Sequence, residues 1–443
     1  MKRQRLYLLG LVLGLLLLVG ACGSDDDEAA PATTGAEDTT TAEESVSGSI
    51  AFTGVWTGDE QMFFQKVIDA FEEKNPDAKV KYTAGGDNIV TVLSTAVEGG
   101  NPPEMASLAQ PGVVADFAKR GALQPLDFVS DAITENFGES IVDTGSVDGT
   151  LYGLLFKAAN KSTIWYNVAA FEDAGVEPPQ SWDDLLEAAK TVKASGVPAW
   201  SIGGADGWTL TDLFENIYIR TAGAEKYDQL TKHEIPWTDQ SVKDALAEMA
   251  KVVGDVDNIA GGQAGALQTD FPTSVSNVFS KSPKAAMIAE GDFVPGVAGE
   301  ANPLEPETGF NVFDFPSIND SEPAVVGGGD LVVMFEDNPV ARAFMEFLTT
   351  PEAAEIRARE GGFSSANKNV DETAYPDPIQ KQTAEGLANA EIFRFDLSDL
   401  QPSEFGGTVG QGLFKLFQDF LKNPDDVDGV TKQMEAAAAK AFK

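Results

Sequence analysis

A short strand, an amphipathic helix and a second strand follow one another near residue 50, and this order most constrains the fold. Residues 49–53 predict a strand and residues 54–58 a loop. One apolar helix stripe is then formed by Phe63, Val67, Ile68 and Phe71, with Phe64 beside it. Asn75-Pro76 predicts the end of that helix, and residues 79–82 return as a strand. Strands separated by such helices predict an α/β fold with parallel sheets.

Other helix ends are marked further along the chain. Ser181 precedes Asp184 by three residues, a capping pattern that predicts a helix start. Asn338-Pro339 combines a capping residue with a first-turn proline and predicts another start. Gly361-Gly362 predicts the end of a helix that covers residues 351–360.

The N-terminus has the pattern of an export signal. Lys2, Arg3 and Arg5 precede an apolar run over residues 6–19, which is shorter than the roughly 20 residues that span a bilayer. Residues 18–22, LVGAC, resemble a bacterial lipobox, which implies a signal peptide over residues 1–21 and lipidation of Cys22. An ordinary signal peptide with an incidental cysteine is the alternative.

The segment after Cys22 predicts a tether. Residues 23–47 contain neither aromatic nor basic residues, and Val46 is their only large apolar side chain. Such a segment buries too little apolar surface to offset the entropy cost of ordering. We therefore expect residues 22–47 to be a disordered acidic tether, with the protein on the outer face of the cytoplasmic membrane.

Charge and residue counts narrow the function classes. The chain carries a formal net charge of −39, which argues against nucleic-acid binding and leaves open a solvated acidic surface or a cation-binding pocket. There is one histidine, His233, and one cysteine, so no His or Cys cluster for zinc is available. Nucleotide-binding glycine loops and the G-x-S-x-G elbow are absent from the sequence. We expect no metal and no cofactor, whereas a glycosidase with paired carboxylates stays open.

A series of short motifs extends over nearly all of residues 48–443. They are WTGDE at 56–60, GNPPE at 100–104 leading to Gln110, DGTLYG at 148–153, IWYN at 164–167, AGVEPPQSWDDL at 174–185, GWT at 207–209, AM at 286–287, GDF at 291–293, GGGD at 327–330 and FRFD at 393–396. In this order they resemble the carbohydrate-binding solute receptors of ABC importers, and the maltose- and α-glucoside-binding group in particular. Pro103-Glu104 departs from the usual Pro-Asp of that group, at a turn.

The resemblance implies two α/β lobes with parallel-rich sheets, joined by crossing strands, with a ligand cleft between them. It places the crossings near Lys157, Gly329 and Pro376. Lobe one is then expected over residues 48–157 plus 330–376, and lobe two over residues 158–329 plus 377–443. It also implies a monomer without enzyme activity that binds a neutral sugar and delivers it to ABC permease subunits, with a separate ATPase.

Sugar binding requires flat aromatic faces and convergent polar groups, because an unpaired buried hydroxyl costs about 1–3 kcal/mol. The aromatic candidates for ligand contact are Trp56, Tyr166, Trp208 and Phe293, with a core position as the alternative for each. The polar candidates are Asp59, Glu60, Gln110, Asp330 and Arg394. For Asp59 and Glu60 the alternative is a favourable helix-dipole interaction, for Asp330 a hinge hydrogen bond, and for Arg394 a surface salt bridge.

Three functions are weighed on this basis. A non-enzymatic receptor for a neutral sugar, an α-glucoside or oligosaccharide, is the leading hypothesis. A receptor of the same fold for a polyamine or another cation is the second, because the chain is acidic. A secreted glycosidase is the third.

Overall fold

Strands and helices alternate along the chain in a computed structural model that describes residues 46–301 and 305–443. The predicted signal peptide, the Cys22 lipidation site and nearly all of the predicted tether lie outside the described residues. The strands are β1 (Gly48–Gly54), β2 (Ala78–Ala84), β3 (Met105–Leu108), β4 (Ser146–Val147), β5 (Thr150–Leu151), β6 (Gly153–Asn160), β7 (Thr163–Asn167), β8 (Met287–Ala289), β9 (Phe310–Asp314), β10 (Val325–Met334), β11 (Ser364–Ser365) and β12 (Phe393–Phe395).

Helices alternate with these strands along the chain. They are α1 (Gly58–Lys74), α2 (Ile89–Glu98), α3 (Pro111–Lys119), α4 (Ser130–Asn136), α5 (Glu139–Thr144), α6 (Val168–Ala174), α7 (Trp182–Ala194), α8 (Trp208–Ala222), α9 (Ala224–Thr231), α10 (Gln240–Val253), α11 (Gly262–Ala266), α12 (Phe271–Phe279), α13 (Val294–Ala301), α14 (Pro339–Leu348), α15 (Pro351–Ala358), α16 (Pro378–Ala388), α17 (Gly412–Lys422) and α18 (Val427–Ala441). None of the helices in the described ranges is both long enough and apolar enough to cross a bilayer.

The predicted α/β class is confirmed, and the larger sheet mixes parallel and antiparallel pairs. The larger sheet has the order β11-β6-β10-β3-β1-β2, with β12 also paired to β10. Strands β1, β2 and β3 are parallel, whereas β10 is antiparallel to both β3 and β6. In the second sheet, β7 is antiparallel to β8 and to β9. Parallel pairing, which we expected to dominate the sheets, is limited to the pairs β1–β2, β1–β3 and β10–β12, whereas β10 runs antiparallel to β3 and β6.

Helix α1 illustrates how the apolar pattern produces this packing. Phe64, Val67, Ile68 and Phe71 are buried as predicted. The prediction is wrong for Phe63, which is only partly buried and has the guanidinium of Arg357 5.1 Å from its ring centre. A helix buries one stripe, and a phenylalanine beside that stripe packs at its edge.

The predicted helix starts and the glycine stop are confirmed. The Ser181 hydroxyl accepts a hydrogen bond from the Asp184 amide, and the Asn338 side chain accepts from the amides of Val340 and Ala341. Helix α15 ends at Ala358, just before Gly361 and Gly362, whose φ angles of 81° and 60° suit glycine.

Buried apolar residues fall into two sets along the chain. The first set lies within residues 50–156 and 331–374, and the second within residues 159–326 and 379–438. Each set contains more than one contiguous apolar cluster, as expected for a chain of this size. The lobe boundaries that the sequence predicts stay a prediction.

Candidate ligand-binding site

A cavity of about 380 Å³ lies between residues of the two sets. Its lining combines aromatic, acidic, basic and glycine residues, and among them are Trp56, Glu60, Asp87, Gln110, Lys157, Lys161, Trp208, Asp270, Phe271, Phe293, Gly329, Asp330 and Asp399. Six of the residues predicted from the sequence are in this lining: Trp56, Glu60, Gln110, Trp208, Phe293 and Asp330. Whether they contact a ligand stays a prediction.

The parallel strands bring three polar or aromatic side chains to one edge of the larger sheet. Trp56 follows β1, Asp87 follows β2 and Gln110 follows β3. Because the carboxyl ends of neighbouring parallel strands meet at the same edge, ligands commonly bind there. This rule could have identified Asp87 from the sequence, and our sequence analysis missed it.

The second set contributes an aromatic wall. The ring centre of Trp208 lies 5.0 Å from that of Phe271 and 6.0 Å from that of Phe293, and the two phenylalanine rings are 5.4 Å apart. Trp208 is half-buried, whereas both phenylalanines are buried. The wall therefore presents the indole as its most accessible flat face.

Trp56 has a different environment from that of Trp208. Its ring centre lies 4.5 Å from Phe64 and 6.5 Å from Phe52, in the core of the first set. Its indole N–H donates a 2.7 Å hydrogen bond to Asp330. Although Trp56 lines the cavity, its ring packs against core aromatic rings and its N–H holds the Asp330 carboxylate.

Lys157 joins the acidic candidates of the first set to the aromatic wall. Its Nζ atom lies 2.6 Å from Glu60 Oε1, 3.7 Å from Asp330 Oδ2 and 5.0 Å from the ring centre of Phe293. Burial raises the pKa of Asp330, and the positive charge of Lys157 offsets part of that rise. Lys157 entered the sequence analysis only as the position of a crossing strand.

Lys161 lies four residues further on, and several buried carboxylates surround it. Its Nζ atom is 2.5 Å from Asp396, 3.1 Å from Asp212 and 3.8 Å from Asp399, and 5.7 Å from the ring centre of Trp208. Burial opposes the charge on Lys161, but these carboxylates outweigh it and raise the lysine pKa well above its ordinary value. Burial and the nearby Asp396 raise the pKa of Asp399, which a hydrogen bond from Gln110 partly offsets.

Three other carboxylates near the cavity lack a lysine or arginine ion pair among the described residues: Asp87, Asp206 and Asp270. Burial, followed by the charge of Asp87, raises the pKa of Asp206 to about 7, and a hydrogen bond from the Phe271 amide opposes the rise. Across residues 46–301 and 305–443, no three His, Cys, Asp or Glu side chains are arranged to hold a metal ion.

Three predicted site residues do not line the cavity. Asp59 lies in the first turn of α1 but is not in the lining. Tyr166 packs in the second set, with its ring centre 4.4 Å from Phe171 and 5.7 Å from Phe313. Arg394 forms two hydrogen bonds to the Asp228 carboxylate, of 2.5 and 2.9 Å. The core position weighed for Tyr166 and the salt bridge weighed for Arg394 are the arrangements found.

Comparison with known proteins identifies relatives over most of the chain. The family model of the bacterial extracellular solute-binding protein matches residues 56–355. The alpha-glucosides-binding periplasmic protein AglE of Rhizobium meliloti is 34% identical over 379 residues, which cover 83% of this chain and 81% of AglE. The osmoprotective compounds-binding protein GgtB of Synechocystis is 33% identical over 374 residues, covering 82% of this chain and 86% of GgtB.

Solved structures show the same fold. The bacterial solute receptor AcbH, reported to prefer β-D-galactopyranose exclusively, matches with a TM-score of 0.78 at 20% identity and covers 90% of this chain and 100% of its own. The GacH receptor of Streptomyces glaucescens matches with a TM-score of 0.69 at 18% identity, over 90% of this chain and 97% of its own. At these identities the likeness concerns the two-lobe fold alone.

Proposed function

The chain belongs to the bacterial extracellular solute-binding protein family, and we propose that it captures a neutral sugar in the cavity between its two apolar sets. Members of this family are receptors rather than enzymes and act outside the cytoplasm. We propose an α-glucoside or a related small glycoside as the ligand, which the protein delivers to the permease of an ABC importer. The relatives AglE and GgtB, named for α-glucosides and osmoprotective compounds, support this class of solute.

The observation that carries the proposal is the aromatic wall beside fixed polar groups. A pyranose ring packs its C–H face on a flat aromatic ring, and the indole of Trp208 is the most accessible such face in the cavity. Glu60, Asp330 and Asp399 supply acceptors for ring hydroxyls, and Lys157 and Lys161 supply donors. These polar groups lie on several sides of the cavity, where they can form the hydrogen bonds that the buried hydroxyls of a bound sugar require.

One observation favours a second candidate, a polyamine or another cation as ligand. The cavity lining includes five carboxylates, of Glu60, Asp87, Asp270, Asp330 and Asp399, but only two lysines. A cation would gain from this excess of negative charge, and salt would weaken its binding steeply by screening. A neutral sugar would bind with little dependence on salt.

Two further features belong to this proposal. We propose that the lobes meet near Lys157, Gly329 and Pro376, because the buried apolar residues change from one set to the other close to these positions. We also propose that Cys22 carries a lipid anchor, so that Cys22→Ala would release the protein from the membrane without loss of ligand binding. Mass spectrometry of the mature N-terminus tests the anchor, and an unacylated protein that starts elsewhere would refute it.

Calorimetric titration with trehalose, maltose, sucrose and spermidine tests the ligand class. Phe293→Ala and Trp208→Ala should each weaken sugar binding by about 1–3 kcal/mol, or roughly five- to 150-fold. Phe442→Ala is the matched control, because this exposed aromatic side chain is outside the cavity lining. Tight, salt-sensitive binding of spermidine without sugar binding would favour the cation receptor.

The absence of catalysis is tested on the same samples. Sugars incubated with purified protein should be recovered unchanged while the intrinsic tryptophan fluorescence shifts on binding. Sustained release of glucose, abolished by substitution of a cavity carboxylate such as Asp399→Asn, would assign the chain to glycosidases instead.

A further inference from the structure

Helix α3 of the first set contacts residues 399–403 of the second set beside the cavity. The helix begins with a proline, which has no amide hydrogen, so the amide of Gly112 is the first one within the helix that needs an acceptor from outside it. That amide donates a 3.0 Å hydrogen bond to the carbonyl oxygen of Asp399. One turn further on, the Asp116 carboxylate accepts a 3.0 Å hydrogen bond from the amide of Ser403. These hydrogen bonds join α3 to the opposing segment at both ends of that segment.

Gly112 permits this contact because it has no side chain. A Cβ atom at this position would lie 1.9 Å from the carbonyl oxygen of Gln401, which is less than a van der Waals contact, and 3.2 Å from that of Asp399. The buried side chain of Gln401 donates hydrogen bonds to the carbonyl oxygens of Thr231 and Leu397, and these hold the residue in the second set. The close approach therefore depends on a glycine within a helix, where alanine is otherwise preferred.

Each of the two contacting segments supplies a side chain to the cavity. Gln110 directly precedes α3, Asp399 begins the opposing segment, and both line the cavity. Gly112 and Asp116 lie outside the lining. Gln110 also packs closely on Gly407, where an added Cβ atom would lie 2.6 Å from Gln110 Cγ. A shift of α3 against the opposing segment would therefore move the two cavity side chains relative to each other.

We propose that Gly112 and Asp116 are positioning residues, which hold α3 against the opposing segment. Through this contact they fix the cavity side chains of Gln110 and Asp399 relative to each other. The inference rests on the proposed function, because it concerns the same ligand site. A carboxylate accepts hydrogen bonds and a glutamine amide both donates and accepts them, so the pair suits sugar hydroxyls. Groups that are fixed before binding lose less freedom when a ligand contacts them, and binding is stronger as a result.

The first test needs no ligand and uses hydrogen exchange followed by NMR. Gly112→Ala should make the Ser403 amide exchange faster, because the added methyl group displaces this amide from Asp116, while amides in the core of the larger sheet keep their protection. Gly386→Ala is the matched control, since Gly386 is an exposed glycine of α16 whose added Cβ atom would meet no atom outside its helix closer than 3.4 Å. Unchanged protection of the Ser403 amide in Gly112→Ala would overturn the inference.

The second test measures binding by calorimetry, with trehalose, maltose or sucrose as the probe. Asp116→Ala should weaken binding roughly two- to tenfold, the size expected for one hydrogen bond, although Asp116 lies outside the lining. Asp116→Asn should retain most of the affinity, because its amide oxygen still accepts from Ser403. Gly112→Ala should weaken binding more than Asp116→Ala does, and Gly386→Ala should not weaken it. A loss of stability in urea for Asp116→Ala with unchanged affinity would show a purely structural role and refute the positioning role.

The two tests separate failure of this inference from failure of the proposed function. If wild-type protein binds a sugar and both Gly112→Ala and Asp116→Ala bind it equally well, the inference alone fails. If wild-type protein binds none of the sugars, the proposed function fails, and the exchange of the Ser403 amide decides the role of the contact. If Gly112→Ala does not fold, the comparison of Asp116→Ala with Asp116→Asn decides it.

Discussion

Carboxylates near the cavity fall into two groups that differ in their electrostatic compensation. The paired group, Glu60, Asp330 and Asp399, lies within 4 Å of Lys157 or Lys161. The unpaired group, Asp87, Asp206 and Asp270, has no such ion pair in the part of the chain that the structure describes. Both groups line the same cavity or lie near it. Their electrostatic compensation differs because only one group has lysines within ion-pair distance, and not only because exposure to solvent differs.

The two groups are expected to respond differently to substitution and to pH. In the paired group, Lys157 and Lys161 offset part of the rise that burial causes in the pKa of Asp330 and of Asp399, and both lysines lie near aromatic rings. In the unpaired group, burial raises the pKa of Asp206 to about 7, with a further contribution from the negative charge of Asp87. We therefore expect loss of a lysine to lower stability at neutral pH, and substitution of Asp206 to change how stability depends on pH.

The largest effect is expected for Lys161→Met. The substitution leaves Asp212, Asp396 and Asp399 buried without their cation, and breaking a buried ion pair in this way costs about 3–5 kcal/mol. Urea unfolding at pH 8 measures the loss. Lys157→Met is the matched comparison and should cost less, roughly 1–3 kcal/mol, because Glu60 is partly exposed and can be hydrated. Equal losses of stability in the two variants would contradict the distinction between a lysine paired with fully buried carboxylates and a lysine paired with the partly exposed Glu60.

A smaller effect with a characteristic pH dependence is expected for Asp206→Asn. Since the folded pKa is about 7 and the unfolded pKa is about 3.9, the folded state holds the extra proton between these values. The stability penalty of ionised Asp206 is thus absent below about pH 4, grows as pH rises through this window and is complete above pH 7. Relative to wild type, Asp206→Asn should gain stability progressively from pH 4 to pH 8 in thermal unfolding.

Asp239 provides a control of opposite sign. Hydrogen bonds from Ser241 lower its pKa to about 2, so its contribution to stability is present above pH 4 and is lost as pH falls toward 2. Asp239→Asn should therefore destabilise the protein at pH 7 and have little effect near pH 2. A difference between wild type and Asp206→Asn that stays constant across pH 4–8 would contradict the assignment of Asp206 to a titratable group.

The smallest effect is expected for Arg394→Ala, which provides a reference for an ion pair outside the cavity. Arg394 and Asp228 are both about one-third exposed, and such pairs contribute roughly 0–1 kcal/mol. Sugar affinity should stay within about twofold of wild type, since a pair outside the cavity has no ligand contact to lose. A large loss of affinity in titration calorimetry, without a loss of stability, would return Arg394 to the ligand site.

Local sequence patterns predicted much of the fold, and their success has a physical cause. The α1 stripe, the Ser181 and Asn338 caps and the stop at Gly361 depend on residues within one or two turns of each other. The antiparallel direction of β10 was not predicted, because strand direction depends on a distant partner rather than on local apolar spacing.

For the candidate site, the sequence indicated the residue types and several of the positions. Trp208, Phe293 and Asp330 were found because they lie in motifs of the carbohydrate-receptor group, and they line the cavity. Tyr166 lies in a similar motif but faces the core. The sequence does not distinguish an aromatic residue whose ring faces a cleft from one whose ring packs against neighbouring apolar side chains.

By itself, the sequence determined the family of the chain, the α/β class, the local helix boundaries and two of the three residues that follow the parallel strands, Trp56 and Gln110. Only the tertiary structure decided which charges compensate one another. Lys157 meets Glu60 across 97 residues of sequence, and Lys161 meets Asp396 across 235. The physical reason is that an electrostatic interaction depends on distance and burial in space, and neither quantity is contained in the spacing of residues along the chain.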